Sequence, residues 1–268
     1  GLITCKSVSE KKLFFKSGIR EQLGEIEDVL KPAKFKSYCR SLEKNGLKSS
    51  ITSIFYGAPG TGKTEAVYQI ARKTGRDIMM VDLSQAKSKW FGESEKKVKQ
   101  IFDDYHALLI CSNREPILFI NEADGLFGRR SESGPGSSTD QTVNTIQNIL
   151  LQALENFEGI LIATTNLNCN FDKAFERRFS FRIDFPKPDA QTRAMIWKSK
   201  LPELNDLEAA GLAGKFEITG GDIDVHIRQM LMKKVLNRNA GIAELLEESC
   251  RRIHESGYNR KMGFRQNG

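Results

Sequence analysis

The amino-acid sequence predicts an α/β protein: a parallel five-stranded sheet sandwiched by helices, followed by a small all-helical domain. Three observations predict it. Five short apolar runs alternate with amphipathic stretches, strand signals stop after Pro186-Lys187-Pro188, and a glycine-rich octapeptide follows the first apolar run. Strands that alternate with helices pair in parallel, because each helix crosses over a face and returns the chain to the same end of the sheet. The expected organisation is a helical preamble over 1–46, an α/β nucleotide-binding domain over 47–187 and a helical domain over 188–268.

The preamble is charged and amphipathic, with Leu23, Ile26, Val29 and Leu30 falling on one helical face. The strand candidates are Ile51 to Tyr56, Ile78 to Leu83, Ile117 to Ile120, Gly159 to Thr164 and Phe181 to Phe185. Each is short, apolar and rich in β-branched or aromatic residues, which suits a strand buried on both faces. Beyond residue 188, helices are expected over about 189–200, 204–213, 221–236 and 240–256, separated by glycines and by Pro202. The Gly, Ser and Pro content of Ser131 to Ser138 predicts a mobile loop.

Composition narrows the function classes. A hydrophobic content of 39% over 268 residues is enough to bury a core, which excludes disorder along the whole chain. No stretch has the length and apolarity of a membrane span, and residues 1–6 lack the apolar core of a secretory signal, so the cytoplasm is the expected compartment. The five cysteines, Cys5, Cys39, Cys111, Cys169 and Cys250, are widely separated, so reduced thiols are expected rather than disulfides or a zinc site. A net charge of +7 admits nucleic acid or an acidic surface as a partner, but the lysines are mostly scattered among acids.

The octapeptide Gly57-Ala58-Pro59-Gly60-Thr61-Gly62-Lys63-Thr64 fits G-x-x-x-x-G-K-[ST], with a strand before it and a helix after it. Glycines let backbone N–H groups turn inward around phosphate oxygens, and the helix N-terminus adds partial positive charge. In this arrangement Lys63 reaches the β- and γ-phosphates of ATP and the Thr64 hydroxyl binds Mg²⁺. The strand Ile117 to Ile120 delivers Asn121-Glu122-Ala123-Asp124 at its carboxyl end, where open parallel sheets place ligands. Glu122 there is the candidate general base, or water orienter, for attack on the γ-phosphate.

These residues resemble the classical AAA clade of AAA+ ATPases over roughly residues 45 to 235. The resemblance implies a P-loop NTPase whose helical C-terminal domain is a lid, with Asn166 in Ala163-Thr164-Thr165-Asn166 as the sensor that holds the attacking water. It implies that Arg177 or Arg178 is an arginine finger reaching a neighbour's nucleotide, and hence a homo-oligomeric ring, a hexamer in the active state. Trp90-Phe91-Gly92 is similar to the clade's first pore loop, where aromatics grip a polypeptide substrate. Gly220-Gly221-Asp222-Ile223 is similar to the position where other AAA+ proteins carry a second sensor arginine and this clade does not.

One residue departs from the pattern: Asn121 stands where the clade carries the Asp that holds Mg²⁺. An amide oxygen can still accept a hydrogen bond, but without charge. The main reading is therefore an ATPase that couples hydrolysis to threading or remodelling a protein substrate. The alternatives are a slow or non-hydrolysing nucleotide switch or scaffold, favoured by Asn121, and a nucleic-acid-associated motor, suggested by the basic balance.

Overall fold

The computed structural model describes residues 1–82, 94–124, 138–167, 173–236 and 241–262. They fall into two units: Gly1–Lys11, Ser17–Ala58 and Lys63–Pro186 in the first, and Lys12–Lys16, Pro59–Gly62 and the chain from Lys187 onward in the second.

The strands of the first unit are β1 (Leu2–Ile3), β2 (Ser50–Tyr56), β3 (Ile78–Asp82), β4 (Ile117–Asn121), β5 (Gly159–Thr165) and β6 (Phe181–Asp184). They form one sheet in the order β1-β3-β4-β5-β2-β6. The five predicted strands are all present and pair in parallel with one another. The sheet gains a sixth member that the sequence did not predict: Leu2 and Ile3 pair antiparallel with Met79 and Ile78 at the β3 edge. Two residues are too few to carry an alternation pattern, and such an addition covers backbone groups that an edge would otherwise expose.

The helices of this unit are α1 (Ser17–Val29), α2 (Pro32–Lys44), α3 (Lys63–Thr74), α4 (Ser94–Cys111), α5 (Ser138–Glu155) and the single turn α6 (Lys173–Glu176). Every residue of β5 is buried, as are Ile117 to Ile120 of β4, which is the continuous apolar pattern of a strand covered on both faces. Leu118, Ile120, Leu161 and Ala163 join Val98 and Tyr105 of α4 and Ile146, Leu150 and Leu154 of α5 in one core. Tyr105 has its polar end fully used. Its hydroxyl donates to Pro116 O at 2.8 Å and accepts from Ile160 N at 2.9 Å, joining α4 to the starts of β4 and β5.

The preamble folds onto this unit through Leu23, Ile26 and Leu30, three of the four residues placed on one face by the sequence pattern. Pro32 opens α2 in its first turn, where its missing N–H has no intrahelical partner to lose. The buried Arg76 then fixes the pair. Its guanidinium donates to Leu30 O from both Nε and Nη2, at 3.1 and 3.0 Å, bonds Glu115, and lies 4.6 Å from the centre of the Phe35 ring.

The second unit holds α7 (Ala190–Lys200), α8 (Asp206–Lys215), α9 (Gly220–Leu236) and α10 (Ile242–Met262). Caps explain where they start. Asp189 accepts from Thr192 N, and Asn205 forms a reciprocal capping box with Glu208. Trp197, Leu204, Leu212, Ile223, Met230 and Leu246 build its core. Buried Arg193 satisfies the carbonyl of Ala213 with two donors, at 2.9 and 2.8 Å.

Between α9 and α10 lies a buried polar chain. Ser249 Oγ donates to Gln229 Oε1 at 2.6 Å, so the 2.9 Å contact from His226 Nδ1 needs Ser249 as acceptor, which puts the imidazole proton on Nδ1. Burial pushes the His226 pKa below its ordinary 6.5, while Asp222, one turn earlier, opposes the shift. A histidine held neutral by the fold gives stability that is fully present above the unfolded pKa and is lost as pH falls toward the depressed folded one. Thermal melts between pH 8 and 5 are therefore expected to show the helical unit losing stability below about pH 6.5. A His226→Gln variant is expected to have a flatter profile, and an unchanged profile would contradict the neutral assignment.

Candidate functional site

The strand order fixes where the chemistry collects. Because β5 lies between β2 and β4, the carboxyl ends of these three strands are adjacent. The register is continuous, with Tyr56 beside Thr165 and Ile120 beside Ala163. The three segments singled out in the sequence, Gly57–Thr64, Asn121–Asp124 and Asn166, therefore begin at one edge of the sheet. That edge is where parallel sheets present ligand groups.

The phosphate loop leaves β2 through Gly57, whose φ of +133° is closed to residues with a side chain. A Cβ there would stand 2.3 Å from Phe185 O, so close backbone packing also requires glycine. Gly60 has φ +74°. Within the second unit, Gly221 N donates to Gly60 O at 3.0 Å. A Cβ on Gly221 would come within 3.0 Å of Gly60 Cα, which accounts for the absence of a larger residue at 221.

Lys63 begins α3 and is buried. Its ammonium donates to Gly57 O at 2.8 Å and Ala58 O at 2.7 Å. Desolvation lowers its pKa to about 8, with Asp124 and Glu122 pulling the other way. A desolvated cation held at the mouth of a glycine loop, on the first turn of a helix, suits a phosphate anion. The loop therefore fits the nucleotide that its sequence predicts.

Thr64 and Asn121, the two expected metal-binding residues, are hydrogen-bonded to each other. Thr64 Oγ1 donates to Asn121 Oδ1 at 3.1 Å, and Thr164 Oγ1 donates to the same oxygen at 3.0 Å. The amide oxygen thus faces the Thr64 hydroxyl, the position an aspartate oxygen would take. This oxygen donor set suits Mg²⁺, a hard cation, though with one carboxylate fewer than an Asp would give.

Glu122 follows the tip of β4 with φ +53°, the one non-glycine residue at positive φ among the described residues. Such a conformation costs about 1–3 kcal/mol and persists only where surroundings impose it. Here they are Thr164, whose hydroxyl accepts from Glu122 N at 3.3 Å and whose carbonyl accepts from Ala123 N at 2.9 Å. The carboxylate of Glu122 is exposed.

Asn166 is held by a residue that the sequence reading gave no role. Asp124 accepts from Asn166 N at 2.6 Å, from Asn166 Nδ2 at 3.0 Å and from Thr165 Oγ1 at 2.6 Å. Asp124 and Thr164 thus position the two predicted catalytic groups. Their signal in the sequence was only their place at strand tips, two residues after Glu122 and two before Asn166.

Arg177 and Arg178 follow α6. Arg178 is engaged within the chain: Nη2 lies 3.2 Å from Glu155 Oε2, its N–H donates to Phe175 O, and its carbonyl accepts from Thr52 Oγ1. Arg177 is exposed and has no ion pair among the described residues. Trp90, Phe91 and Gly92, the candidate pore loop, lie outside the described residues.

Comparison with known proteins agrees with this geometry. The sequence profile of the ATPase family associated with various cellular activities (AAA) matches residues 53–187. The chain is 33% identical over 190 residues to vacuolar protein sorting-associated protein 4A of Homo sapiens, covering 68% of this chain and 42% of that protein. It is 28% identical over 226 residues to a proteasome-activating nucleotidase of Methanoculleus marisnigri, covering 81% and 52% respectively. A 26S proteasome regulatory subunit 8 homolog of Naegleria fowleri is 28% identical over 261 residues, covering 94% and 58%. The chain thus spans about half the length of the relatives it matches.

If Asn121 Oδ1 stands where a carboxylate would hold the metal, Asn121→Asp is expected to lower the Mg²⁺ concentration needed for half-maximal hydrolysis. A shift of about tenfold corresponds to about 1.4 kcal/mol of restored charge attraction. A magnesium titration of the two proteins at fixed ATP checks this, and superimposable curves would remove Asn121 from the metal site.

Proposed function

This chain belongs to the AAA family of ATPases, and from that premise we propose that it binds ATP with Mg²⁺ and hydrolyses the γ-phosphate in a ring of identical subunits to remodel a protein substrate. The observation that carries the reading is the convergence of Lys63, Thr64, Asn121, Glu122 and Asn166 on one sheet edge. Lys63 binds and neutralises phosphate oxygens, and the Thr64 hydroxyl and Asn121 Oδ1 hold the metal. When bound there, Mg²⁺ would supply neutralisation of phosphate charge. Glu122 takes the proton of the attacking water at its carboxylate while the Asn166 amide, fixed by Asp124, orients that water.

We infer that Arg177 is the finger presented to a neighbouring subunit. It is the arginine of the pair left exposed, whereas Arg178 is tied to Glu155 and, through its backbone, to Thr52. A side chain that must cross to another subunit cannot also be the internal fastening. The protein substrate is supported by the names of the relatives, which refer to protein sorting and to the proteasome. Trp90-Phe91-Gly92 is proposed as the substrate-gripping loop on the family pattern.

The neutral Asn121 favours a second reading, a nucleotide-dependent switch that binds ATP, assembles and turns over slowly. Hydrolysis measured against protein concentration separates the two. Specific activity is expected to rise with concentration, to vanish in Lys63→Ala, and to fall by about 10³-fold or more in Arg177→Ala. Arg178→Ala is expected to keep the concentration dependence, with a stability loss of about 1 kcal/mol or less from its partly exposed ion pair. Tight ATP binding with no turnover at any concentration would establish the switch and end the motor reading. In a remodelling assay, Trp90→Ala is expected to lose substrate processing while basal hydrolysis persists, and intact processing would remove the grip.

A further inference from the structure

Basic residues are dense along α2 and its flanks. Residues 31–48 contain six basic side chains, Lys31, Lys34, Lys36, Arg40, Lys44 and Lys48, and a single acid, Glu43, a local net charge of +5. Helix α2 sorts these residues by face. Phe35 is buried and Tyr38, Cys39 and Leu42 are half-buried, whereas Lys36, Arg40 and Lys44 are all exposed. Four-residue spacing puts these three on one row, each about 6 Å further along the axis. Lys31 and Lys34 are engaged by Asp28, and Lys48 by Asn156. Lys36, Arg40 and Lys44 make no ion pair among the described residues. Glu43 is turned to Ser49, whose hydroxyl it accepts at 2.9 Å.

We propose that the exposed face of α2 is a docking surface for the phosphate backbone of double-stranded nucleic acid. Three arguments select this partner. The row presents cations at regular intervals to a partner whose own charges are regular and pre-ordered, whereas a flexible acidic peptide would lose conformational freedom on binding. No large apolar side chain of α2 is exposed, and a helix that lies in a membrane interface needs one. The row contains no aromatic to stack on an unpaired base, so contact is with phosphates of a duplex and independent of sequence. The adjoining exposed row, Ala33, Ser37 and Ser41, is small enough to let a sugar–phosphate strand approach the helix. This inference does not rest on the ATPase reading, because α2 contributes nothing to the phosphate loop or to the strand tips.

The test is fluorescence anisotropy of a labelled 30-base-pair DNA duplex titrated with the full chain at several salt concentrations. With three phosphate contacts, the log–log slope of affinity against salt is expected near −2.7, a loss of about fortyfold between 50 and 200 mM salt. The triple variant Lys36→Gln, Arg40→Gln, Lys44→Gln is expected to reduce the slope by about the same 2.7 while keeping the melting temperature and ATP hydrolysis of the parent. Polyglutamate and phosphatidylserine vesicles serve as competing polyanions. No duplex binding at 50 mM salt, a triple variant with the parent's slope, or preference for polyglutamate or vesicles over the duplex would each overturn the proposal.

Discussion

The placement of β5 between β2 and β4 is the constraint on which the site depends. The phosphate loop leaves β2 on one side of β5, and the acidic tip of β4 lies on the other. With β5 between them, Thr164 at its carboxyl end fastens the tip of β4. Its hydroxyl donates to Asn121 Oδ1 and accepts from Glu122 N, and its carbonyl accepts from Ala123 N. On the other side, β5 pairs with β2 residue by residue from Ser50 to Tyr56, which sets the height at which the loop leaves the sheet. One threonine thus translates strand register into the position of the candidate catalytic carboxylate.

That dependence explains what could and could not be read from the chain. The five parallel strands and the helices between them were legible because each is a local pattern: a short apolar run for a buried strand, a periodic stripe for a helix. The phosphate loop was legible because its chemistry is contained in eight consecutive residues. Thr164 and Asp124 were passed over as functional residues because their roles arise only across strands, between residues some 40 positions apart. Arg76 was invisible for the same reason: nothing near Leu30 in sequence announces that its carbonyl is satisfied by an arginine 46 residues away. The division of labour between Arg177 and Arg178 likewise needed Glu155 and Thr52, which lie on other elements.

Charge and strain meet at the tip of β4. Asn121 adds no negative charge to a site whose Lys63 ammonium is already desolvated. Glu122 and Asp124 are then the carboxylates that favour its charged form, and both are placed by β5, through Thr164 and Thr165. The positive φ of Glu122 belongs to the same economy. A left-handed turn directly after the strand stops Glu122 from continuing the pleat, and leaves its side chain exposed instead of buried with Ile120 and Ala123. The local cost is offset by hydrogen bonds from the adjacent strand.

The charge distribution gives a final lesson about scale. Read as a total, +7 among 75 charged residues is a small excess, and the lysines look evenly mixed with acids. Folding separates what composition averages. Three acids of the preamble are used in ion pairs: Asp28 holds Lys31 and Lys34, Glu27 holds Lys73, and Glu10 holds Arg72. Each such pair removes an acid from the free surface, and no ion pair among the described residues reaches Lys36, Arg40 or Lys44. A modest net charge thereby becomes a locally uncompensated one, and the field of a protein surface follows the uncompensated charges rather than the sum.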